Sequence, residues 1–250
     1  MNAASNSNDP TLYLDLLEAV LLDAIYSSDV SESQHWNSAR AGQQATDAEI
    51  EGGHYWPARA HTMIGRHRLR NFRTAIETII AERIPGDILE AGVWRGGASI
   101  YARGVLKAFG DNGRKFYVAD SFDGLPKPDQ HWEIDFLKVS LEAVKANFSA
   151  YDLLDEQVVF VEGFFEDTLS NIAIDSLSVL RLDGDMYGST IQILDSLYKK
   201  VSPGGFVIVD DYNALANCRE AVDNFRAAHG IEETMETVDW TGVYWRVSRP

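Results

Sequence analysis

The chain has 250 residues, 45% of them hydrophobic, which suffices for one sizeable α/β core with an extension. Its formal charge of -16 argues against nucleic acid or an anionic membrane surface as the main partner, because both would repel it. A single cysteine, Cys218, excludes an intramolecular disulfide framework and thiolate metal clusters, and no basic-then-apolar leader or 18-residue apolar run is visible, so the expectation is a cytoplasmic protein that spans no membrane.

In chain order, the Asn/Ser-rich residues 1–9 have no periodicity, and Thr11 to Tyr26 carries Leu12, Leu16, Ala19 and Val20 at helical spacing after Pro10. Residues 27–53 are polar with three glycines and read as a long irregular segment, the usual form of a lid, a subunit contact or disorder. His67 to Arg83 is a second helix with the stripe Leu69, Phe72, Ala75, Ile76, Ile79 and Ile80, stopped by Pro85-Gly86. The pattern then alternates. Strands are expected at Ile88–Ala91, Lys115–Ala119, Gln157–Val161, Ser178–Leu182 and Phe206–Val209, with helices at Ala98–Phe109, Lys138–Ser149, Phe165–Ile172, Tyr187–Lys200 and Ala214–His229. Two closing strands, Thr234–Val238 and Val243–Val247, have no helix between them and read as a hairpin. The expected fold is a doubly wound, mostly parallel, seven-stranded α/β sheet, with residues 1–84 as a helical extension and lid and 85–250 as the core.

Three aspartates stand at the ends of two of these strands: Asp183 after Ser178–Leu182, and Asp210 with Asp211 after Phe206–Val209. Neighbouring parallel strands end on one edge, and carboxylates that converge there repel one another unless a cation neutralises them. This predicts a metal site. The turn Glu90-Ala-Gly92-Val-Trp94-Arg-Gly96-Gly97-Ala-Ser99 lacks the Gly-x-Gly-x-x-Gly spacing that wraps a pyrophosphate, and Glu90 would repel one. A carboxylate there suits a ligand with a cationic centre, such as S-adenosylmethionine. Asp120, ending the next strand, suits ribose hydroxyls.

Taken together, Trp56-Pro, Thr62-Met63-Ile-Gly65, Glu90 to Gly97, Asp120-Ser121-Phe122-Asp-Gly124-Leu-Pro126, Gly163-Phe164-Phe165-Glu-Asp167, Asp183-Gly-Asp185-Met-Tyr187 and Asp210-Asp211-Tyr212 resemble the macrocin-type O-methyltransferases, which methylate sugar hydroxyls in macrolide and aminocoumarin antibiotic biosynthesis. The resemblance implies a class I methyltransferase fold, S-adenosylmethionine as donor, and Mg2+ on Asp183, Asp210 and Asp211. It implies a cofactor set of Glu90, Gly92, Asp120, Ser121 and Phe122, with Trp94, Gly96 and Ser99 in the same turn, Asp183 beside it, and Gly163, Phe164 and Phe165 near the adenine. It further implies a small glycosylated acceptor and a homo-oligomer.

A base must remove the acceptor's proton. Asp183 is the first choice and Asp185 the second, the latter with an alternative reading as a helix cap. Tyr55, Trp56, Met63 and Trp132 are candidate acceptor contacts. His54, His61, His67 and His131 form no His-x-x-x-His pair, and Cys218 reads as a core residue. A catechol-type methyltransferase is the rival enzyme; the absence of a lysine directly after Asp183 disfavours it. A non-catalytic cofactor-binding module and a nicotinamide oxidoreductase rank lower, against the complete carboxylate trio and the glycine spacing.

Overall fold

The computed structural model describes residues 9–25, 30–126 and 135–248, so Trp132 and His131 lie outside the described residues. In chain order the main elements are α1 (Thr11–Leu21), β1 (Gln34–His35), α2 (Asp47–Gly52), β2 (Tyr55–Trp56), α3 (Arg66–Ala81), β3 (Asp87–Ala91), α4 (Gly97–Ala108), β4 (Phe116–Asp120), α5 (Leu141–Ala150), β5 (Val158–Glu162), α6 (Phe165–Thr168), β6 (Leu177–Leu182), α7 (Tyr187–Leu197), β7 (Val201–Val209), α8 (Ala216–His229), β8 (Glu236–Thr237) and β9 (Val243–Arg246).

The large sheet has the order β5-β4-β3-β6-β7-β9-β8. Strands β3 to β7 pair in parallel, as strands joined by crossover helices must. β9 runs antiparallel to β7 and β8, because only a tight turn, closed by Val238 N–H donating to the Gly242 carbonyl, joins the last two strands. Helices cover both faces. On one, α1, α3, α4 and α5 bury Leu14, Phe72, Ile76, Tyr101 and Val144 against Ile88, Phe116 and Val179. On the other, α7 and α8 bury Ile193, Leu197, Val222 and Phe225 against Leu180, Val207 and Trp245. Burial on both sides explains the near-continuous apolar runs of β3, β6 and β7.

Helix ends and lengths differ from the expectation where local chemistry intervenes. α5 starts later than Lys138 because the Ser140 hydroxyl accepts the Ala143 N–H. The helix expected over Phe165–Ile172 is only the single turn α6 followed by a 3-10 turn at Leu169–Asn171. β7 begins at Val201, five residues before the expected Phe206, and carries Pro203 and Gly204 within it. The segment expected to be irregular contains β1 and α2. Strand β1 pairs with β2, and α2 is held by a reciprocal capping box in which Thr46 and Glu49 satisfy each other's backbone amides. Among the described residues, no helix is long and apolar enough to cross a membrane.

Candidate active site

The site lies where β3, β4, β6 and β7 end. Each strand is extended by one further rung: Gly92 N–H donates to Ala119, Asp183 N–H to Ala91, and Asp210 N–H to Leu182, all within 2.8–2.9 Å. That register brings Glu90, Asp120, Asp183 and Asp210 to one edge, the usual ligand site of an open α/β sheet. Gly92 is required there. It has φ +87°, and a Cβ on it would lie 1.8 Å from the Asp183 carbonyl oxygen.

Two cavities open over this edge. The larger, about 310 Å³, is lined by Glu90, Gly92, Trp94, Asp120, Ser121, Phe164 and Phe165, among others. The smaller, about 120 Å³, is lined by Trp36, Trp56, Arg68, Phe136, Asp210, Asp211 and Trp240, among others. Asp183, Asp185, Met63, Ile64 and Leu137 line both. The two spaces therefore meet at a pair of carboxylates.

In the larger cavity, Asp120 accepts the Val93 and Phe122 backbone N–H groups at 2.8 and 2.9 Å. Burial nevertheless holds its pKa above the ordinary carboxylate value. Glu90 is buried; Ser99 donates its hydroxyl to one oxygen and Arg181 reaches the other at 2.6 Å. Burial, beyond what Arg181 can offset, pushes its pKa up to about 7. The structure thus places Ser99 behind Glu90, fully buried, where it orients the carboxylate and does not line the cavity. Gly96 caps α4 in the left-handed region, Phe122 is buried with φ +52°, and Gly163 has φ +133°; none of the three lines the cavity, so each shapes a turn that carries a neighbour that does.

At the junction, one carboxylate oxygen each from Asp183, Asp185 and Asp211 lies within 4.8 Å of the others. This trio differs from the expected one, in which Asp210 took the place of Asp185. The reason is charge pairing. Asp210 is 3% exposed, and its two oxygens are taken by Arg68 and Arg181. Asp185, in contrast, sits in a left-handed turn with φ +56° that turns its side chain to Asp211; its reading as a helix cap finds no support, since α7 has no side-chain cap at all. Burial, then the charge of Asp183, pushes Asp185 up to about 7, while burial and Asp210 push Asp183 up to about 6. Asp211 is raised well above its ordinary value, first by burial and then by Asp185.

Asp211 Oδ2 is buried and accepts no hydrogen bond. A buried carboxylate oxygen without a donor is costly unless a proton or cation meets it. The residues present therefore fit a hard divalent cation, whose preferred ligands are carboxylate oxygens.

Sequence reasoning did not single out Arg181, and gives Arg68 no role beyond the Arg68-Leu69 stretch of the family resemblance; the two organise the acids. Arg181 pairs at once with Glu90, Asp183 and Asp210, and Arg68 with Asp210 and Asp239. Burial would lower the pKa of each, but the surrounding carboxylates outweigh it and raise both. A signal was present: an arginine inside the apolar run Val179-Leu-Arg-Leu182 can be buried only if paired. Of the acceptor candidates, Trp56 and Met63 reach the smaller cavity, while Tyr55 is buried and lines neither. His54 stacks on Trp240 at 4.3 Å, and His61 pairs with the Tyr151 hydroxyl at 2.7 Å, away from the acids. Cys218 is a core residue.

The model of the macrocin O-methyltransferase family, named TylF, matches residues 10–247. The chain belongs to this family. It is 45% identical to a demethyldecarbamoylnovobiocin O-methyltransferase of Streptomyces niveus, over 99% of this chain and 97% of that one. It is 43% identical to a mycinamicin III 3''-O-methyltransferase of Micromonospora griseorubida, over 98% of this chain and 99% of the other. The solved structure of the O-methyltransferase NovP superposes with a TM-score of 0.89 at 44% identity, covering 96% of this chain and all of that chain. The protein is an S-adenosylmethionine-dependent O-methyltransferase of the macrocin type.

Proposed function

We propose that this methyltransferase acts on a hydroxyl of a deoxysugar carried by a glycosylated natural product, with Mg2+ bound at the acid cluster. The observation that carries the reading is the meeting of the two cavities at Asp183 and Asp185: a donor in the larger space and an acceptor in the smaller would both touch these carboxylates. Two relatives are named for a novobiocin precursor and for mycinamicin III, both glycosylated small molecules in this reading.

S-adenosylmethionine supplies an electrophilic methyl group, and Mg2+, when bound, would lower the pKa of a coordinated hydroxyl. Asp183 and Asp211 would hold the cation; they belong both to the strand-tip set and to the observed cluster. Asp210 supports them from behind, as the carboxylate that anchors Arg68 and Arg181. Asp185 takes the acceptor's proton. It faces both cavities and, unlike Asp183, has no arginine within ion-pair distance among the described contacts, whereas Arg181 reaches Asp183 at 3.0 Å. Glu90, Asp120, Ser121, Trp94, Phe164 and Phe165 hold and orient the donor. Of the N-terminal extension, Trp36, Gly53, Trp56, Met63 and Ile64 cover the acceptor, while α1 and α3 pack into the core of residues 85–250. The exposed Leu12 and Leu16 of α1 offer apolar surface for a homo-oligomer.

The test is incubation with S-adenosylmethionine, Mg2+ and either demethyldecarbamoylnovobiocin or mycinamicin III, followed by mass spectrometry. One added methyl on the sugar is the expected result. Methylation of simple catechols and of neither glycoside would replace the sugar with an aromatic acceptor.

A further inference from the structure

The smaller cavity has a polar floor and an aromatic wall. The floor is Asp183, Asp185 and Asp211; the wall includes Trp36, Trp56 and Trp240. Trp240 comes from the tight turn before β9, at the far end of the chain from Trp36 and Trp56. Its ring stacks on His54 at 4.3 Å and meets Trp36 edge-on at 5.0 Å. Its Nε1–H donates to the Gly52 carbonyl at 2.7 Å, while that of Trp56 donates to the Gly53 carbonyl at 3.1 Å. Both indole donors are therefore spent on the backbone of the α2–β2 connection. What these two rings present to the cavity is carbon surface alone.

The turn that carries Trp240 is itself anchored to the catalytic edge. Asp239 accepts Arg68 at 3.0 Å and the Thr241 and Gly242 amides, and the Thr241 hydroxyl donates to the Asp210 carbonyl at 2.7 Å. The distance from wall to floor is thereby set by the same arginine and aspartate that back the acid cluster.

We infer that Trp240, with Trp36 and Trp56, is the specificity-determining wall that holds the apolar face of the acceptor ring while its neighbouring hydroxyls turn down to the carboxylates. The inference rests on the sugar reading above. A ring laid against the Trp56 and Trp240 indoles, whose donors are already spent, gains by burying C–H surface and loses by burying a hydroxyl against them. The wall thus selects a deoxygenated face, and the cavity, about 120 Å³, is small beside the roughly 300–1,000 Å³ that enclose a drug-sized ligand. It admits one ring and leaves the rest of the glycoside outside, past the half-exposed Trp36.

The experiment is steady-state kinetics of the full chain with S-adenosylmethionine and demethyldecarbamoylnovobiocin or mycinamicin III. Trp240→Ala should raise the acceptor KM at least tenfold, leave donor Kd within twofold, and change kcat far less than KM; Trp240→Phe should regain most of the loss. Should Trp240→Ala fail to fold, Trp36→Ala, at the rim, carries the same expectation. An unchanged acceptor KM in the folded variant overturns the wall while leaving the sugar reading intact. A wild-type enzyme that methylates neither glycoside removes the sugar reading and the wall with it.

Discussion

In the reading proposed above, the larger cavity is the donor half of the site and the smaller the acceptor half, and the two are built in different ways. The donor cavity is made by strand tips and the turn before α4, each locked by ladder hydrogen bonds and buried on both faces. Above the carboxylate floor, the acceptor cavity is walled by residues on two-residue strands, beside a six-residue helix, and on a C-terminal turn, joined through a few carbonyls and one arginine. Local stability follows the number of cooperative contacts. The donor half is therefore the more rigid of the two, and the acceptor half is where binding can be retuned without disturbing the sheet.

The comparison breaks most sharply if one carboxylate of the shared floor is neutralised. Asp183→Asn should cost roughly 10²–10⁴ in turnover, the range of a lost proton-transfer or charge-stabilising group, while donor Kd stays within about tenfold. Assay and calorimetric titration measure the two; equal losses would make Asp183 a donor or folding residue. Next in size, Arg181→Met leaves Glu90, Asp183 and Asp210 without their common counter-charge. A buried charge set deprived of one partner loses about 3–5 kcal/mol, to be read by urea unfolding. A loss below 1 kcal/mol would mean that the acids simply protonate.

The third prediction concerns pH. Burial raises Asp185 from 3.8 to about 7, so the folded chain keeps a proton that the unfolded chain has released. Stability of metal-free protein should then fall as pH rises from about 4 to 7, and level off above. Thermal melts in EDTA across that window test this, and Asp185→Asn should flatten the slope. The smallest effect belongs to the acceptor half. Glu49→Ala removes the capping box of α2 and the partner of Arg40 and His35. It should cost about 1 kcal/mol locally, speed hydrogen exchange in residues 34–56 and leave donor binding unchanged.

The same division explains what could be read from sequence. The parallel strands and their helices are long and periodic, and the acids follow them directly, so Glu90, Asp120, Asp183, Asp210 and Asp211 could be placed on one edge in advance. That Asp185 sits with Asp183 and Asp211 while Asp210 is held by Arg68 and Arg181 could not be read, because Arg68 lies 142 residues from Asp210 in the chain. Nor could the wall. Trp36, Trp56 and Trp240 meet through β1 and β2, which are too short for periodicity, and through a turn near the other terminus. Only the Thr46-x-x-Glu49 pattern marked structure inside the segment expected to be irregular.

Titration of Mg2+ into metal-free enzyme by calorimetry, with wild type beside Asp211→Asn, is the direct test of a cation at the junction of the two cavities. Saturable binding that the substitution weakens at least tenfold, with activity lost in EDTA and restored by Mg2+, is the expected outcome. Full methyl transfer in chelator, with no Mg2+ heat in either protein, would contradict it.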